Sequence, residues 1–169
     1  MSKHLEIERK WLIYKNPDML KLQLENPVEK FITQYYNKEG RWRLETNTST
    51  LETKYIHCVK KEISPGIVEE NEKGISLKTF NQKIKKNKGW ISKQRWEWKV
   101  GRCKFFLDFL SCGTIFLEVE VPYLGYEIIL PMWLKDCIYK EVTGDKRFNN
   151  STLKSKRFYP NFFENVYSF

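Results

Sequence analysis

Charged residues separated by a single position recur along this chain: Glu6 and Glu8, Arg41 and Arg43, Glu70 and Glu72, Lys93 and Arg95, Glu118 and Glu120. Side chains of a β-strand alternate between its two faces, so each pair lies on one face of a strand. Over residues 5–13, Leu5, Ile7, Arg9, Trp11 and Ile13 fall on one side and Glu6, Glu8, Lys10 and Leu12 on the other. A single strand of this kind would turn its charges to water. Several such strands, with acidic and basic pairs alternating along the sequence, point instead to a closed barrel. Closure brings the charged faces together around one lumen, with acids where a divalent cation sits and bases where phosphate sits.

The chain of 169 residues fits one domain and is long enough to bury a core without cross-links. Its net charge of +9 directs attention to an anionic partner: nucleic acid, a membrane surface or a polyphosphate. Cys58, Cys103, Cys112 and Cys137 are widely spread, with no C-x-x-C pair, and the chain has only two histidines. Neither a zinc site nor a disulfide framework is expected, and the cysteines read as reduced thiols of a cytoplasmic protein. No apolar run has the length of a membrane span, and Lys3, Glu6, Glu8 and Lys10 interrupt any signal-like start.

The pattern predicts a first strand over about 4–14, a short helix from Pro17 to about Leu24, and a hairpin of strands over 30–36 and 41–46. In the second of these, Arg41, Arg43 and Glu45 oppose Trp42 and Leu44. Either the arginines face solvent, or the strand is a two-sided wall with a charged lumen. Strands follow over 53–62 and 67–72, then an amphipathic helix over 77–87. Its basic run, 83–88, reads as a solvated helix face or as a nucleic-acid contact. Strands over 90–100, 103–110 and 115–121 come next, and Pro131 opens a helix to about Tyr139 with Leu134 and Cys137 in its apolar stripe. Asp108 stands among phenylalanines and leucines, where a carboxylate needs a paired base or a metal.

Taken in order, these residues resemble the CYTH family, the triphosphate tunnel metalloenzymes. The resemblance rests on Glu6-x-Glu8-x-Lys10, Arg41-x-Arg43, Lys60, Glu70-x-Glu72, Lys93-x-Arg95, Asp108, Glu118-x-Glu120 and the ending Glu141-Val142-Thr143-x-Asp145-Lys146-Arg147, and it spans about 4–153. It implies a mainly β, α+β fold: a closed eight-stranded antiparallel barrel with a few peripheral helices. The tunnel domain would occupy 1–152, with an aromatic extension over 153–169. The implied activity is magnesium- or manganese-dependent hydrolysis of the terminal phosphate of inorganic tripolyphosphate or a related small triphosphate.

On the same resemblance, Glu6, Glu8, Lys10, Glu70 and Glu72 would be catalytic. Lys10, Arg41, Arg43, Lys60, Lys93 and Arg95 would grip phosphate, and Glu6, Glu8, Asp108, Glu118 and Glu120 would hold the metal. Related chemistries are a nucleoside or RNA 5′-triphosphatase and a class IV adenylyl cyclase. No membrane partner is implied, and a homodimer is among the assemblies the resemblance allows. A nucleic-acid or polyphosphate binder without turnover is the rival from another class, but a pure anion binder has no reason to line its inner wall with acids. Two departures stand out. Val68 occupies a place where many small members carry arginine, and a gap before Glu72 leaves Lys61 as an alternative to Lys60.

Overall fold

A computed structural model describes residues 2–14, 19–20, 22–87 and 89–154. Nine strands occur among them: β1 (Ser2–Ile13), β2 (Val28–Asn37), β3 (Gly40–Asn47), β4 (Thr53–Ser64), β5 (Ile67–Gly74), β6 (Trp90–Val100), β7 (Cys103–Leu110), β8 (Ile115–Glu120) and β9 (Ile138–Glu141). Hydrogen bonding runs in the order β5-β4-β3-β2-β6-β7-β8-β1, and β1 pairs back onto β5. Every pairing is antiparallel, so β1 to β8 form a closed barrel.

Closure depends on β1 serving several partners. Residues 2–7 pair with β5 and residues 8–13 with β8, while 11–13 also take β9 on the edge that β5 has left. Where β5 ends, the Glu8 amide donates to the Gly66 carbonyl over 2.8 Å. Gly66 has φ +75°, and a Cβ there would lie 2.6 Å from the Glu8 carbonyl oxygen and 2.7 Å from Thr143 Cγ2. Both the turn and this close approach require glycine.

The main apolar core lies outside the barrel wall. Trp11, Ile13, Trp96, Phe105, Leu107, Phe109, Leu117 and Val119 point away from the lumen and pack with Leu20, Leu134 and Cys137. Burying each large apolar side chain is worth roughly 1.5–3 kcal/mol, so this outer layer can stabilise a barrel whose interior is charged. A smaller cluster of Ile91, Leu110, Phe116 and Val142, with Leu12, Tyr36, Phe148 and Leu153 against it, fills part of one barrel end. Trp42 is also outward and buried, stacked on His57 with centroids 3.9 Å apart. The two-sided-wall reading of β3 therefore holds, and its arginines face the lumen.

Helices differ from expectation. The amphipathic helix α1 (Leu77–Ile84) ends three residues earlier than its pattern, at a turn closed by Lys86 and Asn87 amides. The helix expected over 131–139 is only α2 (Met132–Lys135). The Cys137 amide bonds to the Leu134 carbonyl, and the chain then extends as β9 because the edge of β1 beyond β5 offers unpaired backbone groups. Leu134 and Cys137 still reach the core. Residues 146–148 form a 3₁₀ turn and Asn150–Leu153 a short helix, α3, neither of which the pattern signals. Of the helix expected from Pro17 to about Leu24, residues 19 and 20 are helical and 22 and 23 form a turn, with the Gln23 amide on the Leu20 carbonyl. Residues 17, 18 and 21 and the extension beyond residue 154 lie outside the described residues.

Candidate active site

The lumen forms a cavity of about 800 Å³. Alternation delivers its lining from every strand: Glu6, Glu8 and Lys10 from β1, Lys30, Gln34 and Tyr36 from β2, Arg41, Arg43 and Glu45 from β3, and Cys58, Lys60 and Glu62 from β4. Val68, Glu70 and Glu72 come from β5, Lys93, Arg95 and Glu97 from β6, Lys104 and Phe106 from β7, and Glu118 and Glu120 from β8. Every sequence-predicted site residue except Asp108 therefore reaches the same space. Lys60 lines it and Lys61 does not.

Within the lumen, acids and bases are interleaved. Lys10 Nζ lies 2.9 Å from Glu118, whose other oxygen takes a 2.7 Å bond from Arg95. Arg41 donates to Glu70 over 2.8 Å and to Glu72 over 3.0 Å, and Arg43 donates to the same Glu72 oxygen over 3.0 Å. Lys60 bridges Glu6 at 2.6 Å and Glu70 at 3.2 Å. Burial opposes the charge of Glu118, but Lys10, Lys93 and Arg95 outweigh it and hold the carboxyl well below the usual range. Burial likewise opposes Glu70, and Lys60 and Arg41 hold it at about 2.

Asp108 takes the paired-base alternative that its apolar sequence context left open. It is fully buried and does not line the cavity. Its two oxygens accept from Lys93 Nζ at 2.5 Å and from Arg95 Nε and Nη2 at 2.6 Å. It sits behind the two bases as their counter-charge and holds Arg95 through a bidentate fork. Burial, with Arg95 beside it, pulls the Lys93 ammonium down to about 8.

Glu8 differs from its neighbours. Among the described residues no base lies within ion-pair distance of it. Burial, followed by the nearby Glu118 and Glu6 charges, pushes its carboxyl up to about 7. Burial also raises Glu120, although Lys104 donates to it over 3.0 Å. His4, Glu6 and Glu70 bring one ligand atom each within 4.8 Å of one another, as do Cys58, Glu70 and Glu72. Cys58 is an unsuitable nucleophile, because burial raises its thiol to about 12 and it donates to Glu70 over 2.9 Å. Among the described residues, Arg41 Nε is buried without an acceptor, while Arg43 Nε lies 3.4 Å from a Glu45 oxygen.

Ionised Glu8 is a cost to the metal-free fold. The carboxyl titrates near 4.5 when unfolded and near 7 when folded, so the folded state holds the extra proton between those values. Stability is therefore lost as pH rises through that window. The Tm of chelated protein is expected to fall over it, and Glu8→Gln to flatten the fall. Superimposable Tm profiles for the two proteins would contradict this account of Glu8.

No family model and no curated protein matches the sequence. Solved structures do. The conserved hypothetical protein Pfu-838710-001 from Pyrococcus furiosus aligns with a TM-score of 0.51 and 21% identity, over 71% of this chain and 80% of that one. PH1012 from Pyrococcus horikoshii OT3 gives 0.52 and 19%, over 71% and 80%, and PH1819 from the same organism gives 0.53 and 17%, over 75% and 80%. At these identities the likeness is one of fold, a closed antiparallel barrel, which is the architecture that the sequence resemblance implied. Within this tunnel, several lining residues go beyond those singled out from sequence. Glu45 and Glu97 already share a face with predicted bases, and both bind Lys30, at 3.0 and 2.8 Å. Lys30, Gln34 and Tyr36 are hidden in a stretch that looks merely aromatic and β-branched, although their period-two spacing marks one face.

Proposed function

We propose that this tunnel hydrolyses the terminal phosphate of a triphosphate with the help of a divalent cation. The observation that carries the reading is Glu8, which among the described residues is an acid without a base in a lumen whose other acids are matched. The donor set fits Mg²⁺ or Mn²⁺, since Glu6, Glu8, Glu118 and Glu120 offer hard carboxylate oxygens and, among the described residues, no base pairs with Glu8. When bound there, such an ion would neutralise charge on the phosphate oxygens. Asp108, committed to Lys93 and Arg95, is left out of that set.

A triphosphate carries about four negative charges and needs a lumen that already presents cations. Arg41 and Arg43 would offer their guanidinium N–H groups to it, joined by Lys10, Lys60, Lys93 and Arg95. Binding would draw these bases from Glu70, Glu72, Glu6 and Glu118, and the released carboxylates could turn to the cation or hold the attacking water in line. The apolar outer wall and fixed ion pairs keep the groups in place before substrate arrives. Inorganic tripolyphosphate is the smallest substrate this lining would select.

Phosphate release from tripolyphosphate, ATP and 5′-triphosphorylated RNA, each with Mg²⁺, Mn²⁺ or chelator, tests the reading. Release that requires the cation and disappears with chelator is the expected result. Folded protein that binds tripolyphosphate and releases nothing from any substrate would make this a binding module.

A further inference from the structure

The two ends of the tunnel carry different charge. At one end the lining is dominated by Glu6, Glu45, Glu72, Glu97 and Glu120, with Lys30, Arg43 and Lys104 among them. At the other end the cavity reaches the β2–β3 turn, at Asn37–Gly40, and the segment from Asn149 to Ser151. Two acids line this second end, and both are engaged: Glu39 by Lys83 at 2.6 Å and Glu62 by Lys146 at 3.7 Å. Asp145, nearby in sequence, is paired with Arg147 at 2.6 Å.

A surplus of bases remains around that second end. Asn37 Nδ2 donates to the Lys83 carbonyl, which fixes the end of α1 at the β2–β3 turn. Lys85 and Lys86 follow in the next turn, exposed, and the Lys86 charge is felt at Glu39. The Tyr36 amide bonds to the Gly89 carbonyl, and Lys154 lies against Gly89 with its ammonium 5.8 Å from the Tyr36 ring centroid. Lys38 is exposed on the turn itself. Among the described residues, none of Lys38, Lys85, Lys86 and Lys154 has a carboxylate within ion-pair distance. Between this rim and the deep arginines the lining is neutral: Gln34, Asn149, Asn150 and Ser151, with the buried Asn150 Oδ1 lacking a donor.

Resting on the triphosphatase reading, we infer that the substrate is a single-stranded RNA bearing a 5′-triphosphate. Its terminal phosphate points toward the acid-lined end and its strand leaves through the basic rim. Isolated tripolyphosphate would be held wholly by the deep bases and would gain nothing from a rim of unpaired lysines. A polyanionic strand would, because each lysine can neutralise a backbone phosphate. The amide and hydroxyl lining suits a ribose and a base, which hydrogen-bond without charge, and gives an inorganic polyphosphate nothing it needs.

Lys85→Gln/Lys86→Gln tests the inference, with Arg102→Gln/Lys135→Gln as a control of equal charge change at exposed positions elsewhere. Binding of short 5′-triphosphorylated RNA under chelator, titrated with salt, is expected to weaken about tenfold in the rim variant. The slope of log K against log salt should drop by about 1.4, at about 0.7 per lost contact. Tripolyphosphate and ATP hydrolysis should not change, nor RNA binding in the control. Equal RNA binding by the rim variant and the parent protein would overturn the inference, as would an effect confined to long-chain inorganic polyphosphate. Because the binding measurement needs no turnover, a protein that hydrolyses nothing would refute the triphosphatase reading and still report on the rim.

Discussion

Glu118→Gln is expected to lower turnover of any accepted triphosphate by about 10³-fold, the scale of removing one preorganised charge from a phosphoryl-transfer site. Glu118 is buried at the meeting point of β1, β6 and β8, where it binds Lys10 and Arg95 and raises the Glu8 carboxyl. The amide keeps the size and removes the charge. Lys10 and Arg95 then lose a counter-ion, and Glu8 loses a neighbour with which to hold a cation. The fold should survive, because Arg95 retains Asp108 and Lys10 faces an open lumen. Steady-state kinetics over a range of Mg²⁺ and Mn²⁺, beside a far-UV spectrum of the same protein, measure this. Turnover within a few-fold of the parent would remove Glu118 from the site, and Glu6→Ala should show a loss of similar kind.

Asp108→Ala is expected to cost stability rather than chemistry alone. Lys93 and Arg95 side chains are only 2% and 11% exposed, and Asp108 is wholly buried between them. Removing the shared counter-charge leaves two bases in the wall facing each other, and breaking a buried pair from one side costs about 3–5 kcal/mol. Urea unfolding should show the midpoint falling with an unchanged m-value. Asp108→Asn, which keeps one acceptor, should lose less and should bind triphosphate more weakly as Arg95 loses its fork. A loss below about 1 kcal/mol for Asp108→Ala would mean the carboxylate is not the keystone of the two bases. It would then be free for the cation-binding role that the resemblance implies.

These two acids show how far the sequence reading reaches. Period two placed Glu118 correctly on a charged face, because alternation is local geometry and survives whatever the strand pairs with. The apolar context of Asp108 called for a base or a metal, yet it could not say that register would set Asp108 opposite Arg95, with Lys93 two residues along. Lys30 was missed for the same reason, since its value comes from Glu45 and Glu97 on two other strands. The helix expected over 131–139 failed where the open edge of β1 offered backbone partners that helical periodicity cannot anticipate.

The sequence by itself therefore determined the eight strands of the barrel and which face of each is charged. Those properties depend on neighbours one or two positions away. Only the tertiary structure decided which charges meet: among the described residues, closure of β1 on β5 leaves Glu8 without a base, commits Asp108 to two, and gathers lysines that have no carboxylate partner from the β2–β3 turn, the end of α1 and Lys154 around one mouth. An ion pair is a matter of a few ångströms between distant segments, and the register and closure that set those distances arise from the packing of the whole barrel.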